Sequence, residues 1–400
     1  MIEQLSIFNN IDTNIDTSEQ EIIDLKMREV SGNDYNFLRK KENEPLPRSN
    51  RVINVVDLFS GCGGLSLGIK EACRTLGYGF RVPLAIDFDK NAYECYKHNF
   101  KESFAVNADI GELMSSELGS KVTEREKLLI NQIGKVDFLV GGPPCQGHSD
   151  LNNSTRRNDP KNGLYLYMAR AAELFSPTHI IIENVVGAIH DKNRVVQTVA
   201  DYLSQLGYNV NMGIINLAKI GVPQSRKRLV LIASKVASLD INVESIEKRY
   251  SLDERNIKWA FEDLMGIKSN SIVDKVSTPS KDNRRRIDYL FENNLYELPN
   301  EERPPCHRDK KHSYKSIYGR LNWDNPSQTI TSGFYSMCMG RYVHPSDRRT
   351  LTAHEAARVQ FFPDFFDFSP IKTRSALATI IGNAVPMKLS YIISLELLKK

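Results

Sequence analysis

The sequence predicts an α/β protein: a mostly parallel sheet with helices on both faces, followed by a second, smaller domain. Three observations carry this. From Val52 onward, short apolar β-branched runs alternate with helical segments. The first run ends in a glycine-rich turn that opens a helix, DLFSGCGGLSLG at 57–68. After about Asp240 the alternation fades, and it does not return before the last segments of the chain.

The elements follow in order. VINVVDLF is the first strand, and GLSLGIKEACRTLG the first helix. VPLAIDFD is the second strand, followed by the helical KNAYECYKHNF. FAVNAD, VDFLVGG, THIIIEN, VNMGIINLA and LVLIAS supply strands three to seven. Near-continuous apolar runs of this kind suit strands buried on both faces. Ligands of such sheets gather at the carboxyl ends of the strands. Residues 241–374 are expected to form the smaller domain, irregular at its core of about 250–320, where DNRRR and RPPCHRDKKH fall. TAHEAARVQFF reads as a helix, with Glu355 and Arg358 spaced to pair on it. SALATIIGNAVPMKLSYIISLELLKK carries a strong closing helix, so that 375–400 complete the first domain, 51–240. Residues 1–50 show no sustained pattern and read as an N-terminal extension that the fold can spare.

Composition narrows the class. Four hundred residues at 41% hydrophobic and 26% charged suit a globular protein of two to three domains. No run approaches about 18 consecutive apolar residues, so no membrane span is expected. MIEQLSIFNN has no basic region followed by an apolar one, so no secretory signal is expected either. Cys62, Cys73, Cys95, Cys145, Cys306 and Cys338 lack paired spacing, and a reduced, cytoplasmic protein is the simplest reading. The net charge of +4 hides an asymmetry: residues 1–50 hold six Lys/Arg and ten Asp/Glu, a net of −4, leaving +8 for the rest. That permits contact with phosphates without demanding it.

Certain positions carry chemistry. The glycine turn at 61–64 lets backbone approach a ligand, and the helix after it offers free N–H groups. It does not match the G-x-G-x-x-G dinucleotide pattern. Asp87 and Asp109 stand at successive strand ends, where a carboxylate binds ribose hydroxyls or caps a solvated turn. In GGPPCQGHS, two prolines fix the backbone just before Cys145, which suits a prepositioned nucleophile better than a core thiol. Glu183 follows an apolar strand and must there be solvated, paired or functional. Arg226 and Arg228 in QSRKR alternate on extended chain and point the same way, toward phosphate or solvent. Cys306, His307 and His312 fit no standard metal spacing, and no metal is expected.

Taken in order, DLFSGCGGLSLG, GGPPCQG, ENV, QSRKR, RTLTAHEAARVQFFP and IGNAVP resemble the C5-cytosine DNA methyltransferases, especially the compact bacterial modification enzymes. The resemblance runs from Val52 to Lys400. It implies a Rossmann-like S-adenosylmethionine-dependent methyltransferase sheet with a smaller target-recognition domain. It implies double-stranded DNA as substrate, no membrane, a monomer, and a cognate restriction endonuclease acting on the same site without a stable complex. His148 departs from the family, which often has an aromatic residue there.

The resemblance also implies roles. Cys145 attacks carbon 6 of a flipped-out cytosine, a protonated Glu183 donates at ring nitrogen 3, and Arg228, supported by Arg226, holds the carbonyl oxygen and nearby phosphate. For the cofactor, Phe59 would lie against adenine and Asp87 on the ribose, with Phe88, Asp109 and Ile110 completing the adenosine pocket. Gly61, Cys62 and Gly64 would supply backbone near the amino-acid end, and Pro144, Leu164, Asn383 and Val385 the rim. Residues 149–163 would form a closing loop, with Arg156 and Arg157 near phosphates. Transfer RNA as substrate, methylation of an exocyclic amine, and a non-catalytic DNA-binding relative are the alternatives. The second lacks its usual motif here, and the third would be expected to lose Cys145 or Glu183.

Overall fold

The computed structural model describes residues 33–144, 160–190, 194–267, 269–308 and 316–399. A short helix, α1 (Asp34–Leu38), precedes strand β1 (Val52–Leu58). Helix α2 (Gly64–Leu76), β2 (Gly79–Asp87), α3 (Lys90–Asn99), β3 (Ala105–Asn107), α4 (Glu124–Ile133), β4 (Phe138–Gly141), α5 (Leu166–Phe175), β5 (His179–Val185), α6 (Val195–Gln205) and β6 (Asn209–Asn216) then alternate. The two-residue β7 (Gln224–Ser225) leads into β8 (Lys227–Ser234).

All seven strands read from the sequence enter one sheet, ordered β3-β2-β1-β4-β5-β8-β6. β8 alone runs antiparallel, with Glu183 opposite Val230 and Val185 opposite Arg228. The order reverses between β1 and β4, so the carboxyl ends of these two strands flank a crevice. The continuous apolar runs are explained by burial on both faces. Val55, Phe138, Val140 and Ile181 join the core on one side, and Val56, Leu139, Ile180 and Ile182 the core on the other.

The rest of the chain contains α7 (Val243–Arg249), α8 (Ile257–Phe261), α9 (Lys281–Glu292), β9 (Gly319–Arg320), β10 (Ser327–Gln328), β11 (Arg341–Val343), α10 (Ala353–Val359), α11 (Arg374–Asn383) and α12 (Met387–Leu397). Five expectations differ from the structure. The single closing helix is two, because the chain turns at Ala384 and Pro386 between α11 and α12. The span Arg374–Leu397 has a mean hydropathy of 1.4, enough by composition for a membrane, yet it is mostly buried inside the protein. DNRRR is helical rather than irregular: Ser280 caps α9, and Ile287 and Leu290 bury its inner face. Glu355 and Arg358 do not pair. Glu355 turns back to form a capping box with Thr352 and takes both Arg349 guanidinium nitrogens at 2.8 and 2.7 Å, while Arg358 grips Asp364.

The fourth correction concerns the N-terminal extension. Asp34 is buried and binds Lys388 of α12 and Arg255. Leu38 is fully buried, Phe37 stacks on Phe361, and Arg39 pairs with Asp263. Residues 34–39 are therefore part of the fold. Nor does packing break at Asp240. Ile241 and Ile246 of the expected smaller domain, with Leu351 and Ile371, share the first core, whereas among the described residues Ile287, Leu290, Leu298, Ile317, Tyr318, Met337 and Val343 form a cluster of their own.

Candidate functional site

The site is built where β1, β2, β4 and β5 end. After Leu58 the backbone reverses sharply, and Phe59 takes a left-handed φ of 56°. A non-glycine residue rarely sits there, and such strain collects at functional turns. Gly61 follows at φ 55°, and a Cβ on it would meet nothing within 4 Å, so the turn faces open space. The Asp87 carboxylate at the end of β2 fixes this turn, accepting the Gly61 N–H at 2.8 Å and the Asp89 N–H at 2.9 Å. Burial raises the Asp87 carboxyl above the ordinary value, against the lowering effect of these amides. Next to it Phe88 is 78% exposed, far outside the usual range for its type. Asn107 ties β3 to this corner by donating to the carbonyls of Asp87 and Phe88. Asp109 lies just beyond β3 and caps the turn of Ile110, which is buried. Phe59 and Leu164 pack against the same core.

Beneath the glycine turn lies a polar chain that sequence reasoning missed. Ser66 Oγ is 2.5 Å from Asp57 Oδ2 and 2.8 Å from the Tyr96 hydroxyl, all three fully buried. Burial pushes the Asp57 carboxyl well up. Asp57 opens the quoted glycine motif, but nothing local marks Tyr96 as its partner. Cys62 is also buried, and its thiol is pushed up to about 12. Its backbone, not its sulfur, is suited to a ligand.

The C-terminal turn closes the crevice. A Cβ on Gly64 would collide with the Val385 carbonyl oxygen, so only glycine allows this approach. A Cβ on Gly142 would lie 3.3 Å from Glu183 Oε2 and 3.8 Å from Val385 Cγ2. Gly64, Gly142, Glu183 and Val385 thus meet. Asn383, in the same turn, is exposed. Ser390 of α12 donates to the Leu65 carbonyl, which holds α12 on α2.

Glu183 lies within β5 rather than after it, and Arg228 stands on the neighbouring β8. Arg228 Nε is 2.6 Å from Glu183 Oε1, with the two side chains 13% and 9% exposed. Asn184 Nδ2 donates to the Pro143 carbonyl at 3.3 Å, tying β5 to the Pro-Pro segment. That segment reaches Pro144. Cys145, His148, Arg156 and Arg157 lie outside the described residues. Arg226 is buried, and its guanidinium donates to the carbonyls of Ile330, Gly382 and Ala384. Its described partners are therefore backbone.

DNRRR is less available than its charge suggested. Arg284 donates to the Arg348 carbonyl, Arg285 pairs with Glu302, and Arg286 donates to the Glu302 carbonyl. Cys306 Sγ is 3.3 Å from His307 Nδ1, and His312 is outside the described residues.

Open space at Gly61, an exposed aromatic face at Phe88 and a carboxylate at Asp87 fit an adenosine-type ligand with a charged tail near a helix start. Close by, the Glu183 carboxyl and the Arg228 guanidinium stand together next to Gly142. The sequence profile of the family described as C-5 cytosine-specific DNA methylase matches residues 53–399. The chain is 47% identical over 366 residues to Type II methyltransferase M1.BsuMI of Bacillus subtilis (strain 168), covering 92% of this chain and 85% of that protein. It is 30% identical to Type II methylase M.HgiDII of Herpetosiphon aurantiacus over 85% of this chain and 93% of that one. The crystal structure of S. pombe Dnmt2 methyltransferase matches 86% of this chain and 98% of its own, with a TM-score of 0.60 at 20% identity, a likeness of fold.

Proposed function

Because the chain belongs to the C-5 cytosine-specific DNA methylase family, we propose that it is a Type II modification enzyme that methylates carbon 5 of a flipped-out cytosine within a specific duplex sequence. The observation that carries this reading is the Glu183–Arg228 pair, 2.6 Å apart, beside the Gly142–Pro144 segment that leads into Cys145.

The family uses S-adenosylmethionine, which when bound supplies an electrophilic methyl group. Phe59, Asp87, Phe88, Asp109 and Ile110 would hold its adenosine, the backbone of Gly61, Cys62 and Gly64 its amino-acid end, and Pro144, Leu164, Asn383 and Val385 its rim. The other steps belong to the protein. Cytosine leaves the stack at a cost of a few kcal/mol, which contacts in the pocket offset. The Cys145 thiolate then adds to carbon 6, making carbon 5 an electron-rich enamine carbon. Arg228 binds the ring carbonyl. Glu183 is the group that delivers a proton at ring nitrogen 3 as charge develops there. Arg226 acts behind Arg228, setting the turn at 382–384. After methylation a base removes the carbon 5 proton, and the Cys145 sulfur leaves as the double bond reforms.

Residues 241–374, with the separate cluster around Ile287 and Tyr318, are the target-recognition unit in this reading. The enzyme acts as a monomer, alongside a nuclease that cuts the same site when it is unmethylated.

The test is methyl incorporation from labelled S-adenosylmethionine into duplex DNA and into transfer RNA, with bisulfite sequencing of the DNA product. Methylcytosine at one repeated duplex sequence is the expected outcome. Incorporation into transfer RNA alone, or at an exocyclic amine, would refute the reading.

A further inference from the structure

The last turn of α11 has carbonyl groups with no helical partner, as every helix end does. Here two side chains from distant segments take them. Gln360 Nε2 lies 2.5 Å from the Ile381 carbonyl oxygen, 3.4 Å from that of Gly382 and 3.3 Å from that of Ala384. Arg226 reaches Ala384 at 3.2 Å and Gly382 at 3.5 Å, placing a cation at the negative end of the helix.

Gln360 is itself fixed. Its Oε1 accepts Gln224 Nε2 at 2.7 Å. Gln224 Nε2 also donates to the Val359 carbonyl, and Gln224 Oε1 accepts the Ile330 N–H at 3.2 Å. Both glutamines are fully buried. The amide orientation follows from the partners, because a flipped Gln360 would set its oxygen against three carbonyls. The chain therefore runs in one direction: Ile330 N–H, Gln224, Gln360, Ile381 carbonyl. Such a chain strengthens cooperatively and tolerates no missing member.

The turn held this way touches the glycine turn on one side and the Glu183 strand on the other. Val385 abuts Gly64 of the glycine turn and Gly142 beside Glu183. Gly382 packs so closely on Thr331 and Ser332 that a Cβ would strike their backbone. Gln224 starts the short run that leads through Arg226 to Arg228.

We infer that Gln360 is a positioning residue that couples the cofactor side of the site to the base side: through Gln224 and the 381–385 turn, it sets the cofactor rim and the base-facing strand together. The inference rests on the function proposed above. It makes cofactor and target duplex bind cooperatively, with Gln360 as the link.

The test uses the full chain and S-adenosylhomocysteine as probe. Its affinity is measured by calorimetry for the wild type, Gln360→Glu and Gln360→Met. Gln224→Glu replaces the amide that donates to the Val359 carbonyl and to Gln360 Oε1, and it touches no rim carbonyl. Binding of target duplex is measured by anisotropy with and without the probe. We expect about tenfold weaker probe binding in both Gln360 variants and a smaller loss in Gln224→Glu. Wild-type duplex binding should tighten when probe is present, and that gain should vanish in the Gln360 variants, with KM for S-adenosylmethionine rising by a larger factor than kcat falls. Probe affinity within twofold of wild type would overturn the inference, as would a fall in kcat with KM unchanged. The binding measurements need no turnover. A wild type that binds the probe but methylates no DNA would count against the proposed substrate, whereas wild-type binding in the variants would count against Gln360.

Discussion

Asp34 and Lys388, 354 positions apart, form a buried ion pair: Lys388 Nζ lies 2.7 and 2.9 Å from the two carboxylate oxygens. Arg255 adds a second cation at 2.6 Å. Breaking a buried pair by removing one partner costs about 3–5 kcal/mol, because the other charge stays uncompensated. Asp34→Ala should therefore lower the thermal midpoint strongly. Deleting residues 1–32 should not, whereas deleting 1–45 should leave little soluble protein. Thermal denaturation of the three variants decides this. A 1–45 deletion with wild-type stability would show that the contacts of α1 contribute nothing.

Glu183→Gln should cut methyl transfer by about a hundredfold or more, the usual worth of a placed proton donor, while leaving S-adenosylhomocysteine binding near normal. Arg228→Lys should also be strongly impaired, since a lysine has no planar fork. Single-turnover rates at saturating DNA check both. Activity within threefold of wild type in either variant would remove that residue from the chemistry.

Gly64→Ala should weaken S-adenosylhomocysteine binding and lower stability together, because the added methyl meets the Val385 backbone rather than a yielding side chain. Gly61→Ala meets no atom within 4 Å but must hold a φ of 55°, so it should cost only about 1 kcal/mol. Calorimetry with a thermal scan separates the two. Equal effects would mean that the approach of the C-terminal turn is not what requires Gly64.

Burial lowers His179 from 6.5 to about 4. In the unfolded chain it takes a proton at a higher pH than in the fold. Stability is therefore lost as pH falls from about 6.5 toward about 4, by about 3 kcal/mol from this group. His354 has the opposite sign. Its two carboxylate partners, Asp274 and Asp364, raise its pKa against the effect of burial. Its contribution is full below the unfolded value and is lost as pH rises through the folded one. Urea titrations from pH 4 to 8 should show a flatter acid limb in His179→Phe and a flatter neutral limb in His354→Gln. An unchanged acid limb in His179→Phe would contradict the assignment.

The central strands β1, β4 and β5 were legible because they are buried on both faces, which forces unbroken runs such as FLVG and HIII. The glycine motif was legible as a turn because backbone conformation alone demands glycine there. Partners distant in sequence were not legible. Glu355 and Arg358 had the right local spacing, yet Thr352 turns the carboxylate toward the helix start and Arg349 claims it. Helix α9 was hidden by its charge, since only Ile287 and Leu290 mark its buried face. The docking of α1 depends on Lys388 and Trp259, which nothing near Asp34 announces. Gln360 stood in a quoted motif, but the carbonyls that it serves belong to another motif.

A covalent bond from the Cys145 sulfur to carbon 6 is the step on which the proposed reaction depends. Of the other cysteines, Cys62 and Cys73 are buried thiols pushed up to about 12, and Cys95 is raised as well. None of these three is a ready nucleophile. The direct measurement uses duplex DNA with 5-fluorocytosine at the target position. Fluorine cannot leave as a cation, so release after methylation is blocked. The wild type should form an adduct that needs S-adenosylmethionine, survives denaturing electrophoresis, and maps to the peptide spanning residues 141–148. Cys145→Ala should form none. An adduct that persists in Cys145→Ala, or that maps to another cysteine, would contradict the assignment.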